Sequence, residues 1–491
     1  MKQILLICFF SICATLQSVA ADSFSLMAGA ATSNITPPLG ALRVGSFTPS
    51  PTEHVHDQLH ARCLVLDDGH TKLALVVCDL LGLHRSVSLE ARRLIEEATG
   101  IPPSHVLISA THTHSAGSAL GQSRFVNEQT LDDYQQFVAQ RIADGVRCAI
   151  NLLRPAELAF GSIDVPDHLL NRRWFLRAGQ ERENPFGKLE RVWKTGAPSD
   201  EFTGPAGPVD SAVSFIALRE VAGPPISVFA AYSLHYAGDT GPAHISADYF
   251  GMFCQALQRL QSEPTSDPPF VALMANATSG DVGLNQAKYR NTGVRGSYQR
   301  CQAVAQDLAT KVDAAVKQST WSGTARLDAR YRELGIAWRA IEPELLDWAK
   351  DVEAAAPRLA SGDLPIGARW PTTPDWVTRL SYAGRVQLLA NASQPASVPL
   401  QVLRIGDVAI ATTPCETYAE IGLEFKQRSP VANSFMVQLN HGYLGYLPTP
   451  PQFEFGEYST WPGTNCLEPQ ASVKMLDALL EMLADTQKSS D

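Results

Sequence analysis

Apolar positions along this chain follow two periods. Residues 60–66 alternate in steps of two, Asp67-Asp68-Gly69 is a turn, and 73–78 is a continuous apolar run, which together predict a β-hairpin. Over 86–99 the apolar positions recur at helical spacing, with Gly100 as a stop and Pro102-Pro103 beyond it. A strand at 105–110 follows, so residues 73–110 read as a βαβ unit.

The same alternation continues downstream. Helices are predicted over 131–153 with Thr130 as N-cap, over 249–260, 298–316 and 472–483, and strands over 212–218, 226–232, 270–274, 400–403, 408–412 and 435–439. Residues 340–395 are irregular and rich in Pro, Gly, Trp and Ala, and read as an inserted helical subdomain or a lid. No repeat or linker interrupts the pattern. The expectation is an α/β fold: one large domain over 22–491 with mixed β-sheets, flanking helices and an active site at the C-terminal ends of strands.

Ahead of this domain, Lys2, the apolar stretch 4–16 and the small residues Ser18-Val19-Ala20-Ala21 read as an export signal over 1–21, which predicts a secreted or periplasmic protein. No second run approaches the ~18 to 20 apolar residues of a spanning helix.

Composition narrows the picture. With 491 residues, 45% of them hydrophobic, the chain can bury a large core, and its length alone permits two or three domains. A formal charge of -10 with no Lys/Arg run gives no electrostatic footprint for nucleic acid, and on the same ground does not favour acidic substrates. Two of the nine cysteines fall in the leader. The other seven are scattered without a Cys-x-x-Cys pair, so neither a disulfide framework nor a zinc ribbon is indicated, although one or two disulfides stay open.

The candidate chemistry begins at 106–117, where an apolar strand stops at His112-Thr113-His114. Two readings of this pair stand equal: hydrogen-bonded histidines at a strand end, or one metal ligand and one acid/base group. Similar strands precede His235, Glu416 and Tyr446. Two His and a carboxylate are a familiar set for catalytic zinc, whereas Tyr is a less usual ligand. His54, His56 and His60 lie within seven residues, but the polar Asp57-Gln58 between them makes a loop entering the strand the better reading. The loop 279–285 is either a backbone cradle for an oxyanion or an ordinary Gly-Asp turn. Gly-x-Ser-x-Gly, His-Glu-x-x-His and the nucleotide-binding glycine patterns are absent.

Taken together, several segments resemble the neutral/alkaline non-lysosomal ceramidases in their catalytic N-terminal domain. They are Ala28-Gly29-Ala30-Ala31-Thr32-Ser33-Asn34-Ile35-Thr36-Pro37, Ser109-Ala110-Thr111-His112-Thr113-His114-Ser115, Ser233-Leu234-His235 with Ile245-Ser246-Ala247-Asp248, Gly280-Asp281-Val282, Pro414-Cys415-Glu416, and Asn440-His441-Gly442-Tyr443-Leu444-Gly445-Tyr446. The resemblance implies a zinc amidohydrolase that cleaves ceramide, or a similar N-acyl lipid, to sphingosine and fatty acid. It implies Zn2+ held by His112, His235, Glu416 and Tyr446, with His114 handling protons, Tyr458 orienting substrate, Arg172 meeting the carbonyl, and contact with a membrane surface. No nucleic-acid partner is expected.

Two departures qualify what is implied. Gly283-Leu284 stands where the family loop usually reads Ser-Pro, which leaves Gly283 in place of a hydroxyl at a catalytic position. The C-terminal immunoglobulin-like domain of full-length members is not matched. A zinc hydrolase of another N-acyl or ester substrate, or a catalytically weakened lipid-binding member, are the alternatives.

Overall fold

The computed structural model describes residues 25–45, 50–121, 123–262, 267–290, 296–360 and 376–488. The predicted export signal and residues 361–375 of the irregular region lie outside the described residues.

Two sheets face each other across one apolar layer. The large sheet has eight strands in the spatial order Val271–Asn276, Pro225–Tyr232, Ala212–Glu220, Arg154–Asp164, Met27–Asn34, His60–Asp67, Lys72–Cys78 and Val106–Ala110. Its centre is antiparallel, and the outermost pair at each edge is parallel. The small sheet orders Leu327–Ile336, Ala396–Ile405, Val408–Thr412 and Asn433–Val437, again with a parallel outer pair. Leu75, Phe229 and Leu273 of the first meet Leu403, Ile410 and Phe435 of the second. Helices Arg85–Thr99 and Asp133–Asn151, and separately Asp248–Gln261 and Gln299–Lys317, cover the outer face of the large sheet; Ala419–Arg428 and Ala471–Lys488 cover that of the small one. The molecule is therefore layered helix, sheet, sheet, helix.

The hairpin and the βαβ unit form where the hydrophobic pattern places them: 60–67 pairs antiparallel with 72–78, which pairs parallel with 106–110. The helix predicted over 131–153 instead spans Asp133–Asn151, because Asp132 rather than Thr130 caps it and Gln135 closes the reciprocal bond of a capping box. Strand Met27–Asn34 carries no bulky alternation and is built of small residues because a helix lies close upon it: a Cβ on Gly29 would stand 2.1 Å from the Ala149 carbonyl oxygen. All seven described cysteines are free thiols, so the disulfides left open by the sequence do not form among them.

Residues 337–395 leave and rejoin the small sheet at paired positions, Ile336 opposite Ala396. Inside this excursion, helices Pro343–Ala360 and Trp376–Ala390 pack together through Ala349, Val352, Ala383 and Val386. Among the described residues no helix is long and apolar enough to cross a membrane.

Candidate metal and catalytic site

Parallel strands bring their C-terminal ends to one side, and the loops beyond them converge there. His112 follows Val106–Ala110, His235 follows Pro225–Tyr232, and Glu416 follows Val408–Thr412, so both sheets contribute. The fourth residue arrives by register: Glu416 and Tyr446 are Cα partners in a short parallel bridge.

Reactive atoms meet in a small, mostly buried volume. Glu416 Oε2 stands 3.3 Å from His112 Nε2 and 3.4 Å from His235 Nε2, and His114 Nε2 lies 3.2 Å from His112 Nε2. His112, His235, Glu416, Tyr446 and Arg172 are buried, while His114 is half-buried. Each imidazole places Nδ1 against a backbone carbonyl: His112 on Leu81 at 2.6 Å, His114 on Gly45 at 2.7 Å, His235 on Ser279 at 3.0 Å. With Nδ1–H donating outward, each Nε2 presents a lone pair to the others. Burial, and then the nearby charges of Arg172 and the other imidazoles, hold His235 well below its usual range; burial and His112 do the same to His114. Both are neutral rings.

Three inward lone pairs beside a carboxylate are unstable company without a cation. His235 Nε2 and Glu416 Oε2 are buried with no hydrogen-bond partner. Two atoms each about 2.0 to 2.1 Å from a tetrahedral ion stand about 3.3 Å apart, which matches the spacing observed. The residues present therefore fit a divalent metal. His112, His114 and His235 form a group whose ligand atoms lie within 4.8 Å of one another, so His114 also falls in ligand range.

Backbone and polar partners set this geometry. His112 occupies the left-handed region at φ 71°, a strained conformation held by its amide on the Leu80 carbonyl. Gly45 is required beneath His114, since a Cβ there would come within 2.8 Å of the ring. Asn276 donates to the carbonyls of Thr111 and His235, tying the two histidine loops together. Gln438 accepts from the Thr417 amide and donates to Ser279, whose carbonyl orients His235. Tyr443 donates to Glu416 Oε1 at 2.6 Å and so leaves Oε2 for the imidazoles. Burial works to raise the Glu416 carboxyl, but the neighbouring His112 ring and hydrogen bonds from Tyr443 and Tyr446 outweigh it and hold the group at about 2. Asn276 and Gln438 were not among the sequence candidates, where the available signal was a buried polar residue closing or following an apolar strand, as in Val271–Asn276; Ser279 opens the loop 279–285 and Tyr443 lies in the segment 440–446, but neither was given a role.

The other candidates lie around this cluster. Arg172 donates to the Tyr446 hydroxyl at 2.7 Å and to the Gly280 carbonyl at 2.6 Å, which fixes its guanidinium over the phenol ring. Tyr458 packs edge-on against Tyr446 and shares the same cavity. Gly283 pairs with Leu170 in a two-stranded ribbon, next to the Arg172 stem and outside the cavity lining. A Cβ at Gly283 would lie 3.7 Å from Arg172 Cβ, an ordinary contact, so a serine fits there. In the same loop, Asp281 caps helix Ala419–Arg428 through the Ala419 amide and accepts from Asn171; burial pushes its carboxyl up to about 6. The loop thus serves the scaffold through Asp281. The histidines at 54, 56 and 60 stand apart from the cluster, with His54 in a short bridge and His56 stacked on Tyr298.

Comparison with known proteins bears on the family and the fold. Residues 27–325 match the model of the family described as neutral/alkaline non-lysosomal ceramidase, N-terminal. The chain is similar in fold to neutral ceramidase from Pseudomonas aeruginosa, with a TM-score of 0.67 at 18% identity over 95% of this chain and 75% of that one. It is similarly related to a ceramidase complexed with C2, with a TM-score of 0.67 at 17% identity over 95% and 76%. No curated protein sequence matches.

Proposed function

The chain belongs to the neutral/alkaline non-lysosomal ceramidase family, and on that premise we propose that it is a zinc-dependent amidohydrolase that cleaves the N-acyl bond of ceramide or a similar N-acyl lipid. One observation carries this reading: imidazole and carboxylate atoms 3.2 to 3.4 Å apart, two of them orphaned, in a buried cavity.

His112, His235, Glu416 and Tyr446 would hold the metal. Zinc bound there supplies a Lewis acid and, by bringing the pKa of water to about 7, a nucleophile at neutral pH. Arg172 and Tyr458 orient the amide and stabilise the carbonyl oxygen as it gains charge. His114, neutral and open to the cavity, takes a proton from attacking water and passes it to the leaving nitrogen as the C–N bond breaks. The products are a carboxylate and a free amine. Gly283 stands outside the cavity lining, so glycine there leaves the reacting groups themselves in place.

The test is release of fatty acid from a short-chain ceramide by the purified protein, after chelation and again after zinc is restored. Zinc-dependent release supports the reading; tight zinc binding with lipid bound but not cleaved overturns it in favour of a lipid-binding member. The leader over 1–21 belongs to the same proposal and places the protein outside the cytoplasm. N-terminal sequencing of exported material starting near residue 22 checks it, and an intact Met1 overturns it.

A further inference from the structure

Tyr458 lines the cavity from a turn that the chain holds in an unfavourable shape. It opens the one-turn helix Tyr458–Thr460, and the residue before it, Glu457, stands at φ 84° and ψ 154°, a backbone region almost reserved for glycine. A residue with a side chain stays in that region only where its surroundings hold it. The holding group is a second buried acid, Glu190, which reaches the turn from strand Leu189–Glu190.

Glu190 Oε2 accepts from the Glu457 amide at 2.9 Å. Its Oε1 accepts from the Trp461 indole at 2.8 Å and from the Asn184 side-chain amide at 2.9 Å. One carboxyl group thus grips the residue in front of the turn and the residue behind it, with Tyr458 between them. The approach is close: a Cβ on Gly456 would stand 2.6 Å from the Glu190 carboxyl carbon. Glu457 directs its own carboxylate elsewhere, accepting from the Arg173 guanidinium at 3.2 Å and from the Ser459 amide and hydroxyl at 3.2 and 2.6 Å. The Tyr458 ring meets Tyr446 edge-on at 5.7 Å and has the Lys194 ammonium over it at 5.2 Å.

The chemistry of the partners calls for an acid. All three are N–H donors, and a side-chain amide would offer them one acceptor oxygen while pointing its own NH2 at the donor left over. Packing makes no such demand. Trp461 belongs to an aromatic cluster with Trp193 and Tyr382, and burial together with Glu457 pushes the Glu190 carboxyl up to about 7. The fold therefore keeps at this point a group that lowers its stability, as happens where a site needs a fixed geometry.

We propose that Glu190 is a positioning residue for amide hydrolysis, clasping the turn 457–461 so that the Tyr458 hydroxyl faces the amide held over the histidine cluster. This rests on the role given to Tyr458 in the amidohydrolase reading above.

The experiment uses the zinc-loaded full chain and a short-chain ceramide. Glu190→Gln keeps an acceptor for Trp461 and turns a donor toward the Glu457 amide, whereas Trp461→Phe removes the other arm alone. Each is expected to lower kcat about tenfold with KM little changed. In a Tyr458→Phe background the same changes are expected to cost less than about twofold, because the ring they place has lost its hydroxyl. An equal loss in both backgrounds, or a loss that only follows a falling melting temperature, makes Glu190 a structural group and overturns the proposal. A single fluorotyrosine at position 458 reads the ring directly by fluorine NMR, and its resonance is expected to shift or broaden in both variants. An unmoved resonance overturns the proposal whether or not ceramide is cleaved. If no fatty acid is released, or if Tyr458→Phe matches the unaltered protein, the role of Tyr458 in the reaction fails, while a moved resonance still sustains Glu190 as the group that places the ring.

Discussion

Two buried carboxylates mark two differently built regions around one cavity. Glu416, on the floor, is held at about 2 although burial opposes it, because an imidazole and two tyrosines converge on it. Glu190, behind the rim, accepts hydrogen bonds from Asn184, the Glu457 amide and the Trp461 indole, yet burial and the neighbouring Glu457 push it up to about 7. The floor thus keeps a permanent negative charge where a cation fits. The rim keeps a carboxyl that changes state near neutrality, inside an aromatic cluster of Trp193, Tyr382 and Trp461. A buried acid's neighbours, rather than its depth, decide whether it is a ligand or a packing group.

The sharpest way to break this contrast is to remove the floor. His235→Ala or Glu416→Ala is expected to abolish stoichiometric zinc and lower turnover by more than about 10³-fold, read by metal analysis and fatty-acid release. His114→Ala should lower turnover by about 10²- to 10³-fold while zinc stays bound. Loss of zinc in that variant would instead make His114 a ligand, a role its place in the cluster also permits. Tyr443→Phe frees Glu416 Oε1 and should weaken zinc about 10- to 100-fold, measured by competition with a chelator. Gly283→Ser should leave zinc content and melting temperature unchanged, read by metal analysis and calorimetry, since the Cβ meets only ordinary contacts outside the cavity lining.

The rim gives the smallest and most selective effect. Because the folded Glu190 carboxyl titrates at about 7, above its ordinary 4.5, its contribution to stability is full below 4.5 and lost as pH rises through 7. The loss amounts to about 3 kcal/mol at most. Relative to the unaltered protein, Glu190→Gln should therefore gain in melting temperature by a few degrees between pH 5 and 7.5. For Glu416 the sign is opposite: its contribution is present above 4.5 and lost as pH falls towards 2. A flat difference between the Glu190 variant and its parent across that interval would remove the contrast.

The floor was the legible part of the chain. His112, His235 and Glu416 each follow an apolar run, and such runs end where parallel strands end, so a local pattern announces a position in space. Convergence itself was not legible, because the pairing of Glu416 with Tyr446 is fixed by tertiary register. The rim gave no comparable signal. Strands Arg173–Leu176, Val192–Lys194 and Phe202–Pro205 are too short for a period to show, and Arg124, Lys194 and Arg385 become neighbours only when three distant segments meet. Net charge is silent for the same reason: a sum of -10 carries no information on where the positive residues gather. Strand Met27–Asn34 escaped the hydrophobic pattern because close helix packing had replaced bulk with small side chains.

The pairing of Ile336 with Ala396 holds both ends of the helical excursion one strand spacing apart, whatever lies between them. Doubling the length of such a segment adds only about 0.6 kcal/mol to the cost of closing it. The register that carries Glu416 is insulated from events in the excursion, while Arg385 travels with it. A change within this segment therefore reaches the cavity through its wall at Arg385 and through Tyr382 against Thr464, while the strand register behind Glu416 stays fixed.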